Sequence, residues 1–120
     1  MTEHSAVSFQ AVDDATIAVV ELSELDSAVT DALLADLGRR VGSGEGIKLI
    51  LDLSRVKFMD SVAMGGMVVL LRRVKQAEGH LALAGLSGHC LNVMQVTGLE
   101  KVFDLYPSVQ AAVEGLRRPV

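Results

Sequence analysis

The sequence predicts one α/β domain, a mixed β-sheet of about five strands flanked by four helices in the order β-β-α-β-α-β-α-β-α. Three observations carry this. The N-terminal twenty residues show two β-patterned runs separated by Asp13-Asp14. Apolar residues Val29, Leu33, Leu37 and Val41 then recur in four-residue steps, the stripe of an amphipathic helix. Finally Leu49-Ile50-Leu51, a long apolar helical segment and His80 to Ala84 follow as strand, helix, strand, which implies a right-handed crossover and a parallel pair.

Taken in order, residues 1–4 read as a frayed start to a single domain spanning 1–120. Val7, Phe9 and Ala11 alternate with Ser8, Gln10 and Val12 as in a half-buried edge strand, and Thr16 to Leu22 forms the second arm of a hairpin. Ser23 to Ser27 is a loop, with Asp26 or Ser27 capping the first helix. Leu34 widens that helix's apolar stripe, and Arg39-Arg40 stand where its dipole favours cations. Gly42-Ser43-Gly44-Glu45-Gly46 has the composition of a phosphate-cradling loop. Such loops follow a strand and open a helix, whereas this one does the reverse, so it reads as a flexible connection.

Ile47 to Leu51 lacks alternation, which suits a strand covered on both faces. A polar connection, Asp52 to Lys57, leads through Phe58-Met59 to Asp60-Ser61, where side-chain oxygens can cap a helix running to about Glu78. Gly65 and Gly66 cost that helix about 1 kcal/mol each relative to Ala, so close packing is expected there. Gly79 reads as its stop and His80 to Ala84 as a short strand. Ser87 to Thr97 is a shorter helix facing inward through Leu91, Met94 and Cys90, and Gly98 caps it. Val102 to Leu105 is the last strand. Pro107-Ser108 open a final helix buried through Val109, Ala112, Val113 and Leu116.

Composition narrows the function. Half the residues are hydrophobic, ample for a core, and the formal charge of −4 disfavours a nucleic-acid groove. One Cys precludes an internal disulfide and fits a reducing compartment. The first ten residues lack a secretory pattern and no apolar run reaches membrane-spanning length, so the chain reads as cytoplasmic and not membrane-inserted. His4, His80 and His89 form no metal-ligand spacing, and no nucleophile elbow is present. Cys90 beside His89 is no dyad, because adjacent helical residues point about 100° apart. The chain reads as a binding module, with no catalytic residue, metal or cofactor.

What remains is Asp60-Ser61, a capping pair in the loop leaving a buried strand, where α/β proteins place function. The run Asp52-Leu53-Ser54, Val56, Phe58-Met59-Asp60-Ser61, with Glu24-Leu25-Asp26 before the first helix and Thr97-Gly98-Leu99 before the last strand, resembles the STAS domain of anti-sigma factor antagonists. The resemblance covers nearly the whole chain. It implies that Ser61 is phosphorylated by an anti-sigma factor that is also a serine kinase of the histidine-kinase-like ATPase type. It implies that a metal-dependent, PP2C-like phosphatase reverses the modification, and that the unmodified form binds the kinase and frees a sigma factor. The partner-binding residues it points to are Asp26, Phe58, Met59, Asp60, Ser61 and Met64. Val62-Ala63-Met64-Gly65 stands where that family commonly has a second hydroxyl residue and then Gly-Leu-Gly. The alternative is a constitutive STAS scaffold, or an accessory subunit of a transporter or lipid-transport complex.

Overall fold

The computed structural model describes residues 7–42 and 46–117. The expected frayed residues 1–4 and the middle of the glycine-rich connection, residues 43–45, lie outside them. The chain runs β1 (Val7–Val12), β2 (Ala15–Val20), β3 (Glu24–Leu25), α1 (Ser27–Gly42), β4 (Lys48–Asp52), β5 (Phe58–Met59), α2 (Ser61–Gln76), β6 (His80–Ala84), α3 (Gly88–Val96), a 3-10 turn (Leu99–Lys101), β7 (Asp104–Tyr106) and α4 (Val109–Arg117). The main sheet has five strands in the order β1-β2-β4-β6-β7. The β1–β2 hairpin is antiparallel and every other pairing is parallel, as the crossovers require.

Burial explains the missing alternation in β4. Leu49, Ile50 and Leu51 are all fully buried. Leu49 and Leu51 join the large core beneath α1, α2 and α3. Ile50 faces the other way, with Ala15, Ile17, Ala82 and Ala84, under Ala112 and Val113 of α4. The small residues of this second layer let α4 sit close to the sheet.

Four expectations need correction. The residue with left-handed backbone after α2 is Glu78 (φ 60), not Gly79. Gly79 is required for space, since a Cβ there would lie 2.5 Å from the Ile47 carbonyl oxygen. Of the two helical glycines, only Gly66 is packed: its Cβ would meet Leu34 Cδ1 at 2.6 Å, whereas Gly65 faces open space. The last strand is Asp104–Tyr106, because the 3-10 turn takes up residues 99–101 and leaves Val102 exposed. In α3 the buried positions are Cys90 and Met94, and Leu91 is only half-buried.

The sequence reading has no counterpart for β3 and β5, which pair in parallel with Glu24 opposite Phe58 and Leu25 opposite Met59. Two residues are too few to leave a periodic signal, and the pairing joins segments 34 residues apart in sequence. This small pair brings the starts of α1 and α2 together.

Candidate functional site: a corner where two helices begin

The loop from β4 to β5 is shaped by its own side chains. The Asp52 carboxylate accepts the Ser54 N–H at 3.0 Å, closing an Asx-type turn. Leu53 and Val56 are buried, and the Val56 N–H donates to the Leu53 carbonyl at 3.1 Å. The Cys90 thiol donates to the Val56 carbonyl at 3.8 Å, and burial pushes its pKa above the ordinary value. Such a thiol is structural and weakly nucleophilic. The Asp52-Leu53-Ser54 motif therefore builds the loop.

The N–H groups of Lys57 and Phe58 both donate to the Ser23 carbonyl, at 2.6 and 3.2 Å. The Asp60 N–H donates to the Leu25 carbonyl at 3.0 Å. These bonds set Asp60 at the head of both helices. Its Oδ1 accepts the Ala63 N–H of α2 at 2.9 Å, and its Oδ2 accepts the Ser27 N–H of α1 at 3.1 Å. Asp26 is the second cap, accepting the Ala28 N–H at 2.9 Å through Oδ1. Its carbonyl takes the Thr30 N–H and hydroxyl at 3.1 and 2.6 Å. Both aspartates anticipated as capping residues do cap. The sequence gives no hint that one carboxylate serves two helices.

Ser61 is the first residue of α2 and is exposed. Phe58 is 42% and Val62 50% exposed beside it. The Phe58 ring stacks on His89 of α3, with centroids 5.2 Å apart and planes 14° from parallel. Met64 is half-buried against the main core. Asp26, Phe58, Asp60, Ser61 and Met64 thus gather at one corner of the domain. Met59 does not share its surface. It is 3% exposed, because successive strand residues point to opposite sides and Phe58 takes the outer one. Met59 anchors the patch from below, a correction to its expected place in the docking surface. Sequence reasoning missed Ser27 as a neighbour of Asp60 and His89 as a neighbour of Phe58, since both contacts span more than thirty residues.

Charge around the corner is partly spent. Arg55 pairs with Glu21 at 2.6 Å, and Glu21 also accepts the Ser8 hydroxyl at 2.7 Å. Lys57 is exposed. Among the described residues no group of three or more His, Cys, Asp or Glu could hold a metal ion, and no helix is long and apolar enough to cross a membrane.

The chain is 34% identical to an anti-sigma-B factor antagonist of Listeria monocytogenes over 61 residues, 51% of this chain and 54% of that protein. The match thus spans about half the length of that relative. The fold superposes on an anti-sigma-factor antagonist (STAS) domain protein from Planctomyces limnophilus with a TM-score of 0.86 at 21% identity, covering 93% of this chain and 98% of the other. It also superposes on the Bacillus cell fate determinant SpoIIAA in its phosphorylated form, with a TM-score of 0.71 at 21% identity, covering 93% and 100%. The STAS domain family matches residues 8–112, and it is to this family that the chain belongs.

Proposed function

We propose that the protein is an anti-sigma factor antagonist whose docking is controlled by phosphorylation of Ser61. The observation that carries this reading is the exposure of Ser61 at the head of α2, beside the exposed Phe58 and Val62. A relative named as an anti-sigma-B factor antagonist and a neighbour solved in a phosphorylated form support it.

In this reading the unmodified corner, formed by Asp26, Phe58, Asp60, Ser61 and Met64 over Met59, docks onto an anti-sigma factor. That partner is also a serine kinase of the histidine-kinase-like ATPase type, and docking releases its sigma factor. The chain is the substrate and supplies no catalysis. A PP2C-like phosphatase resets it, and the cycle runs in the cytoplasm.

A phosphoryl group on the Ser61 oxygen adds about −1.5 to −2 charges near neutral pH. The first intrahelical bond of α2 runs from the Met64 N–H to the Asp60 carbonyl, so the Ser61 and Val62 N–H groups precede it. They and the helix dipole favour the new anion, so the fold is retained. Docking is not retained. The dianion stands next to the Asp60 carboxylate and in the middle of an apolar contact. Burying a mismatched charge costs roughly 2–5 kcal/mol, or about 30-fold to several-thousandfold in affinity.

The test is to incubate the protein with ATP and a candidate kinase and to locate the phosphate by mass spectrometry. Modification is expected on Ser61 and absent from Ser61→Ala. Ser61→Asp is expected to fold normally and to bind the kinase at least tenfold more weakly, by about 1.4 kcal/mol. Undiminished modification of Ser61→Ala, or undiminished binding by Ser61→Asp, would overturn the proposal.

A further inference from the structure

The stack of Phe58 on His89 joins the docking corner to α3, a helix the proposed function does not use. Each ring is held by its own segment. The Phe58 N–H is bonded to the Ser23 carbonyl, and Met59 beside it is sunk into the core. Cys90, 1% exposed, pins the start of α3 through its thiol on the Val56 carbonyl. His89 precedes it, about 100° round the helix from that buried thiol, and lies on the Phe58 ring in the open. Planes 14° from parallel with centroids 5.2 Å apart make an offset stack.

A histidine changes charge between about pH 5 and 8. The other titratable groups around this one do not. Glu24 stands opposite Phe58 in the β3–β5 pair, and Lys57 and Asp60 flank β5. Asp52 and Arg55 in the loop beneath are tied to the Ser54 N–H and to Glu21. Glu100 and Lys101 belong to the 3-10 turn packed on α3. Carboxylates, amines and guanidinium keep one charge over that range. The Cys90 thiol, pushed up by burial, stays protonated. Among the described residues His89 makes no hydrogen bond or ion pair, so a proton added there finds no carboxylate beside it.

We propose that His89 is a positioning residue of the docking corner and makes docking pH-dependent: neutral, it steadies the Phe58 ring for the partner; protonated, it puts a cation inside the contact and weakens docking. This rests on the docking reading above and adds a second control to the same site. The neutral ring extends the apolar surface of Phe58 and Val62. An imidazolium has to be stripped of water by the same partner, at a cost that only a paired charge offsets. In the free protein it keeps its water and a cation–π contact with Phe58. The proton therefore favours the undocked state. Where only the neutral form docks, affinity falls about tenfold across the histidine range, from pH 7.5 to 5.5.

The test measures, by calorimetry over that pH range, binding to the ATPase that phosphorylates Ser61. The parent is expected to bind about tenfold more weakly at pH 5.5. His89→Ala is expected to bind about threefold more weakly than the parent at pH 7.5. His89→Phe keeps a ring on Phe58 and takes no proton, so it is expected to recover most of that loss and to flatten the profile. The partner's own titration is common to all variants, so the difference between parent and His89→Phe carries the result. His80→Gln is expected to keep the parent's profile. Without any partner, the Phe58 ring proton shifts are expected to follow the His89 imidazole in an NMR titration. A decline that His89→Phe shares, or that His80→Gln abolishes, would overturn the inference and leave Ser61 docking intact. So would Phe58 shifts that ignore pH, or His89→Ala binding as tightly as the parent. Undiminished binding by Ser61→Asp at pH 7.5 removes the docking reading instead, and this inference with it.

Discussion

The carboxylate of Asp60 accepts the backbone N–H of Ser27 at 3.1 Å, across 33 positions of sequence, while its other oxygen caps its own helix. One side chain thereby satisfies an orphan donor at the head of each of two neighbouring helices. Losing it should be felt twice.

Asp60→Ala is expected to cost about 2 kcal/mol, the sum of a typical N-cap loss and a second hydrogen bond. Asp60→Asn keeps one oxygen for the Ala63 N–H but offers an amide N–H₂ to Ser27, so it should lose about half as much. Urea unfolding of both variants checks this. No loss in Asp60→Asn would mean that the Ser27 bond contributes nothing, and equal losses would mean the same of the Ala63 bond.

Gly65 and Gly66 are adjacent on α2 and should respond oppositely to alanine. A Cβ at Gly65 meets nothing within 4 Å, so Gly65→Ala should stabilise by about 0.5–1 kcal/mol through helix propensity. At Gly66 the new methyl would press on Leu34 and on Thr30 Cγ2, 3.1 Å away. Gly66→Ala should destabilise by about 1–3 kcal/mol by forcing α1 and α2 apart. Thermal melts of the two proteins, read side by side, decide it.

On the proposed docking role of the corner, Phe58 and Met59 separate binding from stability. Phe58→Ala should leave the melting temperature within a few degrees and weaken kinase binding by about 1–2 kcal/mol, as loss of an exposed aromatic anchor does. Met59→Ala opens the core and should cost about 2–5 kcal/mol of stability. Calorimetry of binding and of unfolding on each variant provides the four numbers. A Phe58→Ala protein that binds as tightly as the parent would remove Phe58 from the interface.

Burial raises the Cys90 pKa above its ordinary 9.0. A thiol whose folded pKa is raised contributes stability that is present below the unfolded pKa and is lost as pH climbs through the folded one. Stability is therefore expected to fall on the alkaline side of pH 9, and Cys90→Ala should flatten that decline. Labelling by iodoacetamide at neutral pH should proceed only as fast as the domain opens.

What could be read from the chain alone was whatever is written in local pattern. Of the stripe Val29, Leu33, Leu37 and Val41, the last three are buried and Val29 is half-buried against the core, and Gly98 does take left-handed backbone (φ 79) at the end of α3. The apolar run of β4 announced a strand covered twice. The corner was half legible. Asp60 and Asp26 carry the residue type of a cap, so their capping showed, whereas the sharing of Asp60 between two helices did not. The β3–β5 pair and the Phe58–His89 stack were equally silent, because each joins short segments far apart in sequence whose partners have no periodicity of their own. Met59 went astray for a related reason: with β5 unseen, nothing told which of two neighbouring apolar residues faced the core.

The alanines under α4 have a consequence of their own. Ala15, Ala82 and Ala84 act as a methyl-thick spacer beneath Ala112, and they make that layer a mechanical stop for the helix. A single enlargement such as Ala84→Val would lever α4 outward from the side of the sheet opposite α1 and α2. The domain thus carries a dial for its overall robustness that can be turned without disturbing the core under α1 and α2.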